Sequence, residues 1–422
     1  MPSTSAPALL SFEEARHLVE DHAARIRPLG KELVELLDSV GYVLAEPVAA
    51  DRNFPPFPRS TRDGYAVRAA DVAQAPVRLQ VAGEVRAGAE ASLKVDSGQA
   101  VSIMTGAPVP AGADAVVMVE YTSKEGEQVE ITKPVAAGEN IVPAAAEAKR
   151  GERLLAPGRW LDYAAIALAA SVGRSHLLVY SKPRVAVLAT GDEVVDIDVP
   201  PAPHQIRNSN TYSLAAQVRN AGGEAVLLPI APDEPQRLRD LIADGLEADL
   251  LLLSGGVSMG KYDLVEAVLT DLRAEFFFTG ARIQPGRPVV FGRVPGNASA
   301  VRAEDSREPS HKYFFGLPGN PVSTMVTFEL FARPLLEALG GMTPRKLMFL
   351  SARLKSEITT KPGLKRFLPA VLGGEFEQAE VELVRWQGSG DVAATARANC
   401  YVVVPPDRER IPAGEWVPIL LR

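Results

Sequence analysis

Apolar positions in the second half of the chain gather into three solid runs, and each run ends in a glycine-bearing polar turn. Residues 184–193 read RVAVLATGDE, residues 249–263 read DLLLLSGGVSMGKYD, and residues 313–323 read YFFGLPGNPVS. Uninterrupted runs of this kind suit strands buried on both faces, as in a parallel sheet covered by helices. Helical spacing over 211–221 and 234–245, with an apolar stretch at 225–229 between them, completes the alternation expected of βαβ units. In such a sheet the strand C-termini open onto one crevice, where ligands bind.

The rest of the chain carries other periods. Ser11 and Glu14 have the spacing of a capping box, and Phe12, Ala15, Leu18, Val19, Ala23 and Ile26 follow at helical intervals until Pro28. Residues 77–81 and 129–132 alternate, residues 115–119 form an apolar run, and Gly and Pro turns lie between them, which predicts a small antiparallel β unit. Alanine-rich residues 164–168 predict a helix, and residues 401–404 and 416–421 predict strands. The expected fold class is α/β plus β in several domains. A connector of residues 1–50 and 148–180 carries a β-rich insert at 51–147; a three-layer α/β domain at 181–341 and a C-terminal β domain at 342–422 follow.

Composition narrows the partners. Over 422 residues the net charge is −7, without a dense basic block, so nucleic acid is not an expected partner. Any anion site must be local. Cys400 is the single cysteine, which excludes an intrachain disulfide and a cysteine-based zinc site. No stretch is long and apolar enough for a bilayer and the N-terminus lacks the pattern of a signal peptide, so a cytoplasmic location is expected.

The three turns carry the candidate chemistry. Glycines at 191, 255, 256, 260 and 319 allow backbone N–H groups to approach a phosphate, and Glu193 and Asp263 could hold a divalent cation beside it. Ser254 and Ser258 flank the second turn. Each feature also has a plain structural reading. Glu193 reads equally as a first-turn helix acid, Asn320 and Pro321 as an N-cap and first helical residue, and Ser209-Asn210 and Asp233 as caps. Asp63 and Thr105 precede glycines and read as turn formers. Lys261, Arg287 and Arg293 read as surface cations, though residues 284–288 (QPGRP) present Arg287 on a stiff turn.

Five segments in order then carry a resemblance: residues 57–67 (FPRSTRDGYAV), 103–116 (IMTGAPVPAGADAV), 190–193 (TGDE), 254–260 (SGGVSMG) and 316–323 (GLPGNPVS). Together they resemble the molybdopterin molybdenumtransferases of the MoeA family, related to the E domain of gephyrin. The resemblance implies a MogA-like α/β domain, an elongated connector, a small β domain and a C-terminal barrel-like domain, assembled as a homodimer with the site between subunits. It implies a transferase acting on adenylylated molybdopterin (molybdopterin-AMP) and molybdate with Mg2+ and releasing AMP. Thr190, Gly191, Asp192, Ser209, Asn210, Ser254, Gly255, Gly256, Ser258, Gly260, Pro318, Gly319, Asn320, Pro321 and Ser323 would line the nucleotide site, with Glu193 and Asp263 on the metal. Asp63 and Thr105 would reach the other subunit's cleft, and Asp233 would face the site. A molybdopterin adenylyltransferase upstream and apo-molybdoenzymes downstream are the implied protein partners.

The chain departs from the family pattern around the oxyanion. Gln284 stands where the family has lysine, Leu364 where it has arginine, Ala393 and Ala394 where it has serines, and Glu147 where it has aspartate. Because a tetrahedral oxyanion needs several charge-assisted donors, the remaining candidates are Arg287 with Lys365 or Arg366. These departures keep tungstate open as the metal. Adenylyl transfer to molybdopterin, and a carrier or scaffold role, are the competing readings.

Overall fold

The computed structural model describes residues 9–88, 92–256, 264–296 and 311–422. Its centre is a six-stranded sheet in the order Glu224–Leu227, Arg184–Ala189, Leu250–Ser254, His311–Leu317, Val290–Pro295, Glu275–Phe278. The first four run parallel, Val290–Pro295 runs against them, and Glu275–Phe278 pairs antiparallel with Val290–Pro295. The three apolar runs are therefore adjacent strands at the middle of the sheet. Buried side chains lie on both faces, so the sheet is one layer of three. Val185, Val187 and Phe315 pack with helices Phe12–Ala23, Ser209–Asn220 and Pro321–Thr327 on one side. Ala186, Leu188 and Phe314 pack with Pro235–Gly245 and Leu264–Asp271 on the other.

Helix Phe12–Ala23 starts at the expected capping box, with Ser11 and Glu14 exchanging side-chain-to-backbone bonds. Although far from them in sequence, it buries Phe12, Ala15 and Val19 in the α/β core against Phe331 and Leu335. Helix Pro321–Thr327 passes through a five-residue π segment, Phe328–Ala332, into Arg333–Leu339. Pro334 has no N–H to give and would crowd the carbonyl four residues back, and the widened turn just before it relieves both.

A three-stranded antiparallel sheet of Lys31–Glu35, His176–Tyr180 and Val43–Leu44 packs against helix Tyr163–Ser171 through Leu161, Ala165, Ala169 and Leu177. The insert is a six-stranded sheet, Ala115–Met118, Gly64–Val67, Gln99–Ile103, Val77–Val85, Gln128–Ile131, Thr122–Glu125. The sequence predicted an antiparallel unit, but Val77–Val85 runs parallel to Gln99–Ile103. Strand alternation fixes which side chains are buried and leaves the direction of the partner open.

Downstream, Phe349–Leu354, Lys365–Gly373, Glu380–Leu383, Cys400–Val404 and Trp416–Leu421 close into a five-stranded barrel. Closure removes the exposed edges of a free sheet. One short strand, Ile283–Gln284, adds in parallel from outside, placing Ile283 opposite Lys365 and Gln284 opposite Arg366. Among the described residues no helix is long and apolar enough to cross a membrane.

Candidate functional site

Register decides where the three turns meet. Ala189 is paired with Ser254, and Ser254 with Leu317, so the chain leaves the sheet at Thr190, Gly255 and Pro318 side by side. The turns are tied at once: Thr190 N donates to Ser254 O at 3.0 Å and Gly255 N to Leu317 O at 3.2 Å. Gly255 and Gly256 have φ of +92° and +63°, and a Cβ on either would lie 2.8 Å from an atom of Thr190. Only glycine permits both the left-handed backbone and that approach.

A cavity of about 410 Å3 opens over these turns. Thr190 and Glu193, then Ser254, Gly255 and Gly256, then Pro318 to Pro321 form its walls. Ser209 and Asn210 close it from the start of helix Ser209–Asn220. The sequence offered Asn210 as a possible cap, but the cap is Asn208, whose Oδ1 accepts from Thr211 N at 3.1 Å. That leaves the Asn210 amide free to reach sideways. Its Nδ2 donates to Ser254 Oγ at 2.8 Å and to Gly319 O at 2.7 Å, clamping the second and third turns together. Asn210 Oδ1 and Thr190 Oγ1 are buried at the cavity wall without a partner among the described residues, and Thr190 is only 5% exposed. A ligand rich in donors and acceptors fits such a lining, since buried polar atoms are normally paired.

Other structural readings shift. Glu193 does not open a helix: it precedes the two-residue strand Val194–Val195, which pairs with Ile206–Arg207. Its carboxylate folds back over Gly191, where a Cβ would come within 2.4 Å of Oε2. Asp233 is not the cap of helix Pro235–Gly245; Glu234 holds that position without a side-chain bond. The Asp233 N–H instead donates to Asp192 Oδ1 at 3.1 Å, so Asp192 braces the first turn from outside the cavity. Asn320 stands at the N-cap position without a capping bond, and Pro321 occupies the first turn. Helix N–H groups near a ligand suit an anion, but the Val322 N–H is already given to Ser389 O of the C-terminal domain at 3.0 Å. Gly191 and Ser323 do not line the cavity; Ser323 is buried within the helix and its carbonyl accepts from Thr327 Oγ1 at 2.8 Å. Ser258, Gly260, Lys261 and Asp263 lie outside the described residues. Among the described residues no group of three or more His, Cys, Asp or Glu side chains gathers as a metal cluster.

The candidate oxyanion residues Gln284 and Arg287 belong to the 284–288 turn, whose last residue, Pro288, lines the cavity. Arg287 is exposed there. The short parallel pairing sets Gln284 beside Arg366, whose guanidinium is pulled below its ordinary pKa by burial. Lys365 is committed elsewhere: its ammonium pairs with Glu13 and stands 4.9 Å over the Phe12 ring. Ala393 and Ala394 fall in the first turn of helix Val392–Arg397, capped by Asp391 accepting from Ala394 N at 2.9 Å. Glu147 pairs with Arg59 at 2.7 Å, and Arg293 with Glu275 at 2.6 Å.

Asp63 and Thr105 form a separate constellation on the inserted sheet. Asp63 Oδ1 accepts from Thr105 N at 2.7 Å and from Thr105 Oγ1 at 3.0 Å. Those two donors, the backbone one first, hold the Asp63 carboxyl below the usual carboxylate range. No residue of that sheet lines the cavity of the same chain. Arg207, Asn208 and Pro288 do line it and went unnoticed in the sequence. Arg207 and Asn208 directly precede Ser209, a spacing that could have marked them.

The comparisons agree with this architecture. Residues 10–173 match the MoeA N-terminal region (domain I and II), residues 186–338 a probable molybdopterin binding domain, and residues 351–421 the MoeA C-terminal region (domain IV). The chain belongs to the MoeA family. A molybdopterin molybdenumtransferase of Nostoc sp. is 34% identical over 92% of this chain and 88% of its own length. One from Bacillus subtilis is 32% identical over 92% and 89%. Two crystal structures of the molybdopterin biosynthesis MoeA protein from Pyrococcus horikoshii share the fold. One is 32% identical with a TM-score of 0.71, covering 98% of this chain and 99% of that one. The other is 28% identical with a TM-score of 0.77, covering 98% and 100%. By membership in this family the chain is a transferase of molybdenum cofactor biosynthesis.

Proposed function

We propose that the chain inserts molybdenum into molybdopterin, taking adenylylated molybdopterin and molybdate and releasing AMP with Mg2+. The in-register meeting of three polar turns around one cavity carries this reading, because a phosphoanhydride needs backbone donors and a carboxylate in the same place. Glu193 would offer oxygen ligands of the kind Mg2+ prefers, with Asp263 as the partner the sequence suggests; bound there, the ion would neutralise charge on the diphosphate. Glycine N–H groups orient the bridge, and Asn210 keeps the second and third turns at a fixed separation. An oxygen nucleophile attacks phosphorus, the bridging P–O bond breaks, and AMP leaves. Arg287 and Arg366 are the cations offered to the oxyanion, since Lys365 is held by Glu13. Asp63 and Thr105 would serve the cavity of a second copy in a homodimer.

AMP release from adenylylated molybdopterin, followed with and without molybdate and Mg2+, tests the reading. Release triggered by molybdate supports it. Gain of AMP would favour adenylyl transfer, and tight binding without turnover a carrier. Running tungstate in parallel asks whether the altered residues, Gln284 first, have changed the metal. Arg287→Ala should raise the molybdate concentration needed for release; unchanged molybdate dependence would remove Arg287 from the site.

A further inference from the structure

We propose that Arg207 recognises the phosphate of the nucleotide half of the ligand, an inference that rests on the reading above. Among the described residues lining the cavity, the charged side chains are Glu193 and Arg207. Arg207 ends one strand of a small ribbon and Glu193 directly precedes the other, with Val194 paired to Ile206 and Val195 to Arg207. Backbone bonds fasten that ribbon at both ends: Ile206 N donates to Glu193 O at 2.8 Å and Asn208 N to Val195 O at 2.8 Å. Asn208 in turn caps helix Ser209–Asn220. Arg207 is thus carried on a braced element immediately before the helix that supplies Ser209 and Asn210 to the cavity.

The side chain is anchored but not consumed. Its Nε donates to Ile197 O at 2.9 Å, and no carboxylate pairs with it among the described residues. The terminal guanidinium nitrogens keep their donors, in the planar fork that matches two phosphate oxygens. Electrostatics favours such a group. A phosphate entering the cavity meets the Glu193 carboxylate on a chain whose net charge is −7, so long-range attraction does not draw it in. Arg207 supplies the local opposite charge, and it discriminates a nucleotide from its uncharged nucleoside.

Titration calorimetry of the full chain with AMP and with adenosine, without added metal, reads this contact. Arg207→Ala should weaken AMP binding by about tenfold to a hundredfold, the range of one charge-assisted contact. Adenosine affinity should stay where it was, Arg207→Lys should recover part of the loss, and the salt dependence of AMP binding should flatten in the alanine variant. AMP bound equally by Arg207→Ala and the wild type would overturn the assignment. Equal loss of AMP and adenosine would also overturn it, showing that Arg207 only braces the ribbon. A wild-type chain that bound neither probe would sink the nucleotide reading itself, and Arg207 with it.

Discussion

Gly255 and Gly256 lie so close to Thr190 that the first and second turns behave as one wall. Gly255→Ala must force a side chain into left-handed backbone and against the Thr190 carbonyl, at a cost of about 1–3 kcal/mol. Urea denaturation should show that loss, and AMP binding should fall with it. Asn210→Ala removes both clamp bonds, and a stability loss of roughly 1–3 kcal/mol is expected from stranding their partners. Here Asn210→Asp is the instructive companion: a carboxylate cannot donate, so it should fail to restore the lost stability. Glu193→Gln should leave the melting temperature near that of the wild type while lowering Mg2+-dependent AMP release. The glycine turns and Glu193 were legible in the sequence because strand C-termini point at ligands. The sideways reach of Asn210 was not, since only the structure shows Asn208 already serving as the cap.

Elements give a different balance. Each long apolar run was recognisable as a strand, and their shared crevice followed. What the pattern could not specify was direction and closure: the parallel pair within the inserted sheet, or the join that shuts the C-terminal barrel. Helix Phe12–Ala23 was readable from its capping box, yet its packing site was not, since an amphipathic stripe does not name its partner. That packing carries a pH dependence. His22 stacks 4.0 Å from the Phe277 ring and its Nδ1 lies 3.2 Å from the Tyr313 hydroxyl. Burial, followed by the charges of Arg293 and Arg25, holds its pKa below the ordinary 6.5, with Glu275 and Asp21 opposing. A histidine lowered in the folded state binds its proton more readily when unfolded. Its contribution is therefore fully present above the unfolded value and declines as pH falls through that value toward the folded one. Thermal melts between about pH 7.5 and 5.5 should show this acid-side loss, and His22→Gln should flatten it.

At the scale of the whole molecule, the described chain holds its Asp63–Thr105 pair and its cavity on separate units. If two copies complete each other's sites, mixing Asp63→Asn with Glu193→Gln should restore activity that neither has alone. Mixed dimers then carry one intact site each, so about a quarter of wild-type turnover is expected at equal expression. Recovery absent from verified mixed dimers would place Asp63 outside the shared site. The oxyanion region was the least legible part of the sequence. Its candidates come from the 284–288 turn and the barrel, and the seam between Gln284 and Arg366 arises only when the two units dock. Sequence distance hid the further fact that Lys365 is engaged by Glu13.

That last contact spans 352 positions of the chain and has a consequence for synthesis. Helix Phe12–Ala23 cannot cover its apolar stripe during synthesis until Phe331, Leu335 and Phe367 have been made. At ordinary translation rates the delay is roughly 20–70 s. During that interval the emerging chain offers a sticky surface to chaperones or to its neighbours on the same message.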